Sequence, residues 1–591
     1  MRTSLLPCLL SVAMLTSFCS NTSERRGVML EPVVEEEIRV QPLTVEAIYD
    51  SARVWVDSVY VSLSDEERIA QLFWITLEKA DDEASYQKIK QHTIKYQPGG
   101  ILFLKVSARK AYEAVHDLQS QVRVPLLFSI DGENGPAMRI NGAVEFPDAM
   151  ALGAIRDDSL IYRMGLEIAR QLKLLGIHVN FAPVADVNSN PNNPVIGVRS
   201  YGELPYNVAA KAVAYMRGLQ DGGVMAVGKH FPGHGDTGTD SHHTLPLVNH
   251  NRERLDSCDL LTFKALIDAG IWGIMTAHID VPALTDTTGI PSSFSPKVVG
   301  NLLRDTLGFK GLVITDAVNM KGAKVMGKPG QVDALALAAG NDIVEFTENL
   351  PAAIQAVIKA LTDSLITPAE LEAKVRRSLA FKYWLTRGEQ VNLIDADSLL
   401  HYINTPEAEV LSRALYGAAL TALVNKLDIP LKEAFWAADS GSSTLSSGNT
   451  AANYAAVFAG ESPLLESYFK GRGIELVKLN GTATDPGLKL DLKYKAHILV
   501  ISDVQKVDAS VVTRLNEAGP TMVLYMGNPY RLSRARGASK ADVILVAFKN
   551  NSPAQEAIIE FLEGAIQADG ILPVSIEGFP AGTGHRLSFR E

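Results

Sequence analysis

Eight short apolar runs separated by amphipathic stretches constrain this chain more than any other feature of its sequence. The runs are QLFWITL from Gln71, GGILFL from Gly99, PLLFSID from Pro125, HVNFAPVAD from His178, MAVGKHF from Met225, WGIMTAHI from Trp272, GLVITDA from Gly311 and DIVEF from Asp342. Between them lie helical patterns such as ARKAYEAVHDLQSQ, LIYRMGLEIARQLKLLG and DLLTFKALIDAG. Strands that are apolar on both faces and alternate with helices form a parallel sheet covered on both sides. Eight units in roughly the length of one (β/α)8 barrel favour a closed, TIM-like barrel over an open doubly wound sheet. Asp131, Asp186, Lys229, His230, His278 and Asp316 fall at the carboxyl ends of these runs. Any one of them can be a helix cap; together they mark the barrel mouth, where active sites are built.

At 591 residues the chain is too long for one ordinary core. A helical stretch, TPAELEAKVRRSLAFKYWLTRG, follows the eighth unit, and a second alternating set comes after it: ANYAAVFA, GIELVKL, AHILVIS, TMVLYMG and DVILVAF. The expected fold is α/β throughout, an N-terminal (β/α)8 barrel followed by a C-terminal α/β three-layer sandwich. The expected boundaries are a signal peptide over 1–19, a lead over 20–45, the barrel over 46–390, a linker over 391–406 and the sandwich over 407–591. The second domain shows no catalytic cluster, so its expected part is to shape one rim of the cleft.

Arg2 followed by the apolar run from Leu5 to Phe18 reads as an export signal. The polar stretch after Cys19 resembles a bacterial lipoprotein signal with Cys19 lipidated; cleavage without a lipid is the alternative. Either implies the cell envelope, periplasmic or membrane-anchored, with membrane contact only through a lipid on Cys19. With only Cys8, Cys19 and Cys258 present, neither a disulfide framework nor a thiolate metal site is expected. A hydrophobic fraction of 47% describes a globular protein, and a net charge of -11 argues against nucleic acid as partner.

The chemistry concentrates in KHFPGHGDTGTDSHHTLP, from Lys229 to Pro246, which holds four of the twelve histidines. A metal cage, a proton-transfer loop and a polar turn are all open on composition. The spacing matches no recognised ligand motif, and HExxH is absent, so no metal is expected. Proton transfer needs less: an imidazole that titrates near neutrality and a carboxylate to fix its tautomer. Asp240 and His242 lie two residues apart and share one side of an extended segment. Gly235 and Gly238 would let the loop fold over a substrate. Asp316 closes an otherwise apolar strand and reads equally as a helix cap or as a nucleophile held by donors such as Lys229 or His278.

FAPVADVNSNPNNPVIGVRSYGE, KHFPGHGDTGTDSHHTLP and GLVITDAVNM closely resemble the signature segments of glycoside hydrolase family 3, and most of all its bacterial β-N-acetylglucosaminidase branch. The likeness runs from about Ser64 to Leu385, and more loosely through a C-terminal domain ending in LPVSIEGFPAGTG. The resemblance implies a retaining mechanism with Asp316 as nucleophile, His242 as acid and base, and Asp240 as its partner. It implies that Asp131, Arg139, Arg199, Lys229 and His230 hold the sugar. Each of these also has a structural reading: Arg199 tying down the loop after the fourth strand, Arg139 paired with Glu133, His230 a satisfied core histidine. His234, His243 and Asp236 read as loop structure. DGENGPAMR, from Asp131 to Arg139, departs from the family pattern at Asn134 and at Pro136-Ala137, beside the expected sugar pocket.

The expectation is an exported, retaining, exo-acting β-N-acetylglucosaminidase acting on peptidoglycan fragments or chitooligosaccharides, without metal or organic cofactor. The rivals are a β-glucosidase or β-xylosidase of the same family, a metal-dependent barrel hydrolase, and an inactive carbohydrate-binding protein. Oligomeric state has no signal in the sequence.

Overall fold

The computed structural model describes residues 43–387, 395–428, 430–436, 454–479, 494, 496–502 and 506–590. The export signal and Cys19 lie outside them. The first eight strands are β1 (Phe73–Lys79), β2 (Gly100–Lys105), β3 (Leu127–Ile130), β4 (Val179–Asn180), β5 (Met225–Phe231), β6 (Gly273–Thr276), β7 (Leu312–Thr315) and β8 (Val344–Glu345). They pair in parallel in the order β7-β6-β5-β4-β3-β2-β1-β8. A bridge between Ile314 and Ile343 joins β7 back to β8, so the sheet closes on itself. Aromatic rings pack on both faces of the sheet: Trp74 stacks on Phe181 inside the barrel with centroids 6.0 Å apart, and Phe103 stacks on Phe128 at 5.5 Å on the opposite, helix-covered face.

β4 is shorter than its apolar run. Pro183 has no N–H to give the ladder, and pairing resumes only at Val184, which bridges Lys229. β8 ends where Phe346 turns to φ 60°. The helices Asp158–Leu174 and Pro205–Asp221, which follow β3 and β4, pack at backbone distance. A Cβ on Gly218 would stand 2.1 Å from the Tyr162 carbonyl, and one on Gly165 2.5 Å from that of Tyr215. Only glycine permits that approach.

The second sheet contains six strands in the order β11-β10-β12-β13-β14-β9. Five are the expected ones: β10 (Tyr454–Ala459), β11 (Glu475–Lys478), β12 (Ala496–Ser502), β13 (Thr521–Met526) and β14 (Val543–Val546). The sixth, β9 (Thr421–Asn425), was not expected and lies antiparallel to β14. Within the stretch expected to be a linker lies a short helix, Leu399–Ile403. It is pinned to the barrel by Asn404, which accepts from the Val144 N–H at 2.9 Å and donates to the Gly142 carbonyl at 2.6 Å.

Candidate active site

β5 is buried along its whole length and delivers two residues at its end. The side chains of Lys229 and His230 are 3% and 7% exposed. Lys229 Nζ lies 2.6 Å from Asp131 Oδ1 and 2.8 Å from Glu133 Oε1. Arg199 grips Glu133 from the other side, with Nη2 2.6 Å from Oε1 and Nε 3.0 Å from Oε2. It also donates to the Val195 carbonyl at 3.2 Å, so it both faces the mouth and ties down its own loop.

Arg139 does not pair with Glu133. Its Nε donates to the Asp131 carbonyl at 3.1 Å, and its Nη2 meets Asp131 Oδ2 at 3.3 Å. A turn closed by the Gly135 N–H on the Gly132 carbonyl swings Glu133 toward Arg199, and the short helix Pro136–Met138 returns Arg139 over Asp131. Burial pushes the Glu133 carboxyl up, but Arg199 and Lys229 beside it hold it far below the usual carboxylate range. Burial would lower the Lys229 ammonium, yet Asp131 and Glu133 raise it. Glu133 and Lys229 therefore stay charged at neutral pH.

Asp186, fully buried, organises the next pair. It takes His230 Nδ1 at 2.7 Å, the His230 N–H at 3.2 Å and the His234 N–H at 2.7 Å. With Nδ1–H committed to the carboxylate, His230 Nε2 faces Arg199 Nη2 at 3.4 Å and can accept from a ligand hydroxyl. The sequence marked Asp186 as a polar strand end but gave it no part; its signal was the lone acid closing an apolar run. The sequence gives Glu133 only as a partner for Arg139, although it sits two residues from Asp131.

Asp316 stands just past β7, half-buried. Its Oδ1 accepts the Ala317 N–H at 2.8 Å. Burial pushes its carboxyl up, but His230, His278, the Ala317 N–H and Lys229 outweigh this and hold it below the usual range. The expected direct grip by Lys229 or His278 is not formed. Lys229 is turned to Asp131 and Glu133. His278 Nε2 faces the carbonyls of Asp316 and Ala317, each at 3.2 Å, and its Nδ1 meets Ser293 Oγ at 2.7 Å. Two carbonyl acceptors require the proton on Nε2, so His278 fixes the backbone on which Asp316 sits.

The histidine-rich loop divides its residues among separate partners. Asp240 Oδ1 accepts both the His242 backbone N–H and ring Nδ1, each at 2.8 Å. Two bonds to one oxygen fix the ring and leave Nε2 free. Burial pushes the Asp240 carboxyl up, but the His242 N–H and ring bring it below its ordinary value. The His242 side chain is 61% exposed. Gly322 donates to the Ser241 carbonyl at 3.2 Å, which ties this loop to the segment after Asp316. His234 is buried between Thr237 at 2.7 Å and Ser241 at 3.1 Å, and Asp236 binds Ser189 at 2.9 Å and His250 at 2.6 Å. His243 lies 4.0 Å from Asp240. Among the described residues no group of three or more His, Cys, Asp or Glu converges as a metal site would.

The second domain reaches this end of the barrel. Tyr530 Oη accepts from Asn188 Nδ2 at 2.8 Å, and Asn188 Oδ1 accepts from the Gly197 N–H at 3.1 Å, two residues before Arg199. A cavity of about 490 Å³ borders Glu133 and Arg199 and has Lys549 of the second domain in its wall. A larger one, about 680 Å³, lies below the strands' amino ends among Tyr49, Arg53, Arg304 and Arg377 and touches none of the site residues.

Comparison with known proteins agrees with this arrangement. The family model for the glycosyl hydrolase family 3 N-terminal domain matches residues 64–380. The chain is 36% identical over 343 residues to beta-hexosaminidase A of Pseudoalteromonas piscicida, covering 53% of this chain and 56% of that one. It is 30% identical over 381 residues to a beta-N-acetylglucosaminidase/beta-glucosidase of Cellulomonas fimi, covering 63% and 66%. The matches thus span under two-thirds of the length of these relatives. Among solved structures, a glycoside hydrolase family 3 beta-N-acetylglucosaminidase from Paenibacillus sp. str. FPU-7 superposes with a TM-score of 0.70 at 29% identity, over 87% of this chain and 99% of that one. A barrel with charged residues at its carboxyl rim, a matching family model over more than half its length and these relatives lead to one conclusion: the chain belongs to glycosyl hydrolase family 3.

Proposed function

We propose that this chain is a retaining, exo-acting β-N-acetylglucosaminidase that removes terminal β-linked N-acetylglucosamine from peptidoglycan fragments or chitooligosaccharides. The observation that carries the reading is the bond from His242 Nδ1 to Asp240 on a loop tied to the segment that follows an ionised Asp316. In the first step an Asp316 oxygen attacks the anomeric carbon while protonated His242 gives its Nε2 proton to the departing glycosidic oxygen. The C–O bond breaks and a glycosyl ester forms. In the second, neutral Nε2 takes a proton from water, the water oxygen attacks the same carbon, and the Asp316 carboxylate leaves. Asp240 stabilises the imidazolium in both. Asp131, Arg139, Arg199, Lys229 and His230 orient the sugar through acceptors and donors already held by one another.

The names of the relatives favour an N-acetylhexosamine substrate. The name of the Cellulomonas fimi relative joins that activity to beta-glucosidase, which keeps glucosides as the second reading. The apolar run from Leu5 to Phe18 after Arg2 supports an exported enzyme of the cell envelope, periplasmic or anchored through Cys19. Comparing aryl N-acetylglucosaminide with aryl glucoside tests the substrate class; faster turnover of the glucoside rejects the first reading. Trapping with a slow fluorinated sugar is expected to add its mass to the peptide carrying Asp316, and a label on any other residue overturns the nucleophile.

A further inference from the structure

The polar groups around the barrel mouth are unevenly satisfied. On the β3–β5 side, Asp131, Glu133, Asp186, Arg199, Lys229 and His230 have partners throughout. On the β1–β8 side, Trp74 Nε1, Thr76 Oγ1 and Glu345 Oε1 are buried with no hydrogen-bond partner among the described residues. Glu345 pairs with Trp74 across the two parallel strands, and Thr76 lies two residues beyond Trp74. Residues paired in register, and residues two apart, share a sheet face. All three therefore face the barrel interior.

Glu345 is 2% exposed. Burial and the charges of Asp131 and Asp316 push its carboxyl well above the ordinary range, with only partial relief from Lys229 and from the neighbouring Thr76 hydroxyl, which stands outside hydrogen-bond geometry. Its place beside Asp131 and Asp316 thus favours the neutral form, which has a hydroxyl to donate and a carbonyl to accept. A native structure seldom leaves such a group unpaired without a bound species to complete it. A sugar hydroxyl is both donor and acceptor, so one hydroxyl can satisfy both halves of a carboxylic acid.

We infer that Glu345 is a substrate-binding residue at the floor of the sugar site, which hydrogen-bonds one ring or hydroxymethyl hydroxyl and thereby sets sugar specificity. The inference rests on the glycosidase reading of the site but not on the identity of its nucleophile.

The test compares wild type, Glu345→Leu and Glu345→Gln on an aryl N-acetylglucosaminide and its 3-, 4- and 6-deoxy analogues, with the corresponding glucosides alongside. Glu345→Leu is expected to lower kcat/KM on the parent sugar by roughly tenfold to a hundredfold. On one deoxy analogue the wild type loses that factor already, and the leucine variant adds no further loss. Glu345→Gln, which keeps a donor and an acceptor, retains most of the parent activity. Equal losses on every analogue, or no loss on any, overturn the assignment. Glu345→Met, closer in length, carries the same comparison if leucine collapses the floor. Asp316→Asn is measured in parallel: activity surviving there removes the nucleophile assignment while the wild-type deoxy pattern still reports on Glu345. Wild-type turnover of glucosides alone removes the N-acetylglucosaminidase reading and moves the same comparison to that series.

Discussion

Replacing Glu133 with glutamine isolates the charge that holds the site together. Glu133 is 10% exposed and serves two cations, Lys229 at 3% and Arg199 at 28%. Without its charge, Lys229, Arg199 and Arg139 share Asp131 alone among the acids of this row. Removing one partner of a buried ion pair costs about 3–5 kcal/mol, because the other charge stays buried and uncompensated. Glutamine keeps the size and one acceptor, so the expected loss is about 3 kcal/mol, at the lower end of that range. Denaturant unfolding followed by fluorescence is expected to show the lower midpoint with an unchanged slope. KM is expected to rise as well, since Lys229 and Arg199 lose the group that aims them. A variant within about 1 kcal/mol of wild type, well short of a broken buried pair, and with an unchanged KM would refute the view that Glu133 is the common counter-ion.

Asp240→Asn is expected to lower kcat by about 10²- to 10⁴-fold on a sugar with a poor leaving group and much less on a nitrophenyl glycoside; equal losses on both would reject its part in proton transfer. Tyr530→Phe removes the bond to Asn188 and is expected to cost about 1 kcal/mol and to raise KM, whereas an unchanged KM would separate the second domain from the Arg199 loop. Burial lowers the His234 imidazole from an ordinary 6.5 to about 4, so the unfolded chain takes this proton first. Stability from this group is therefore full above pH 6.5 and falls as pH drops toward 4, by on the order of 3 kcal/mol; a His234→Gln variant whose stability falls equally over that window would refute the assignment.

The eight barrel strands were legible because each is buried on both faces and so reads as an unbroken apolar run. β9 was not, because TALVN follows directly on the helix Pro406–Ala419. Its apolar residues continue those of the helix, and its partner β14 lies more than a hundred residues on. Asp131, Lys229, His230 and Asp316 stood out as polar residues closing apolar strands. The pairing of Arg139 with Asp131, and of Arg199 with Glu133, was hidden because a turn between Gly132 and Gly135 decides which way each side chain goes. The orphaned atoms of Trp74 and Thr76 carry no sequence signal either, since an aromatic and a threonine in a strand are ordinary β-formers.

In the proposed cycle, the ring that gives up a proton has three-fifths of its surface in water. A donor so placed regains its proton from the attacking water in the second step, without a chain of buried groups to ferry hydrogen ions inward.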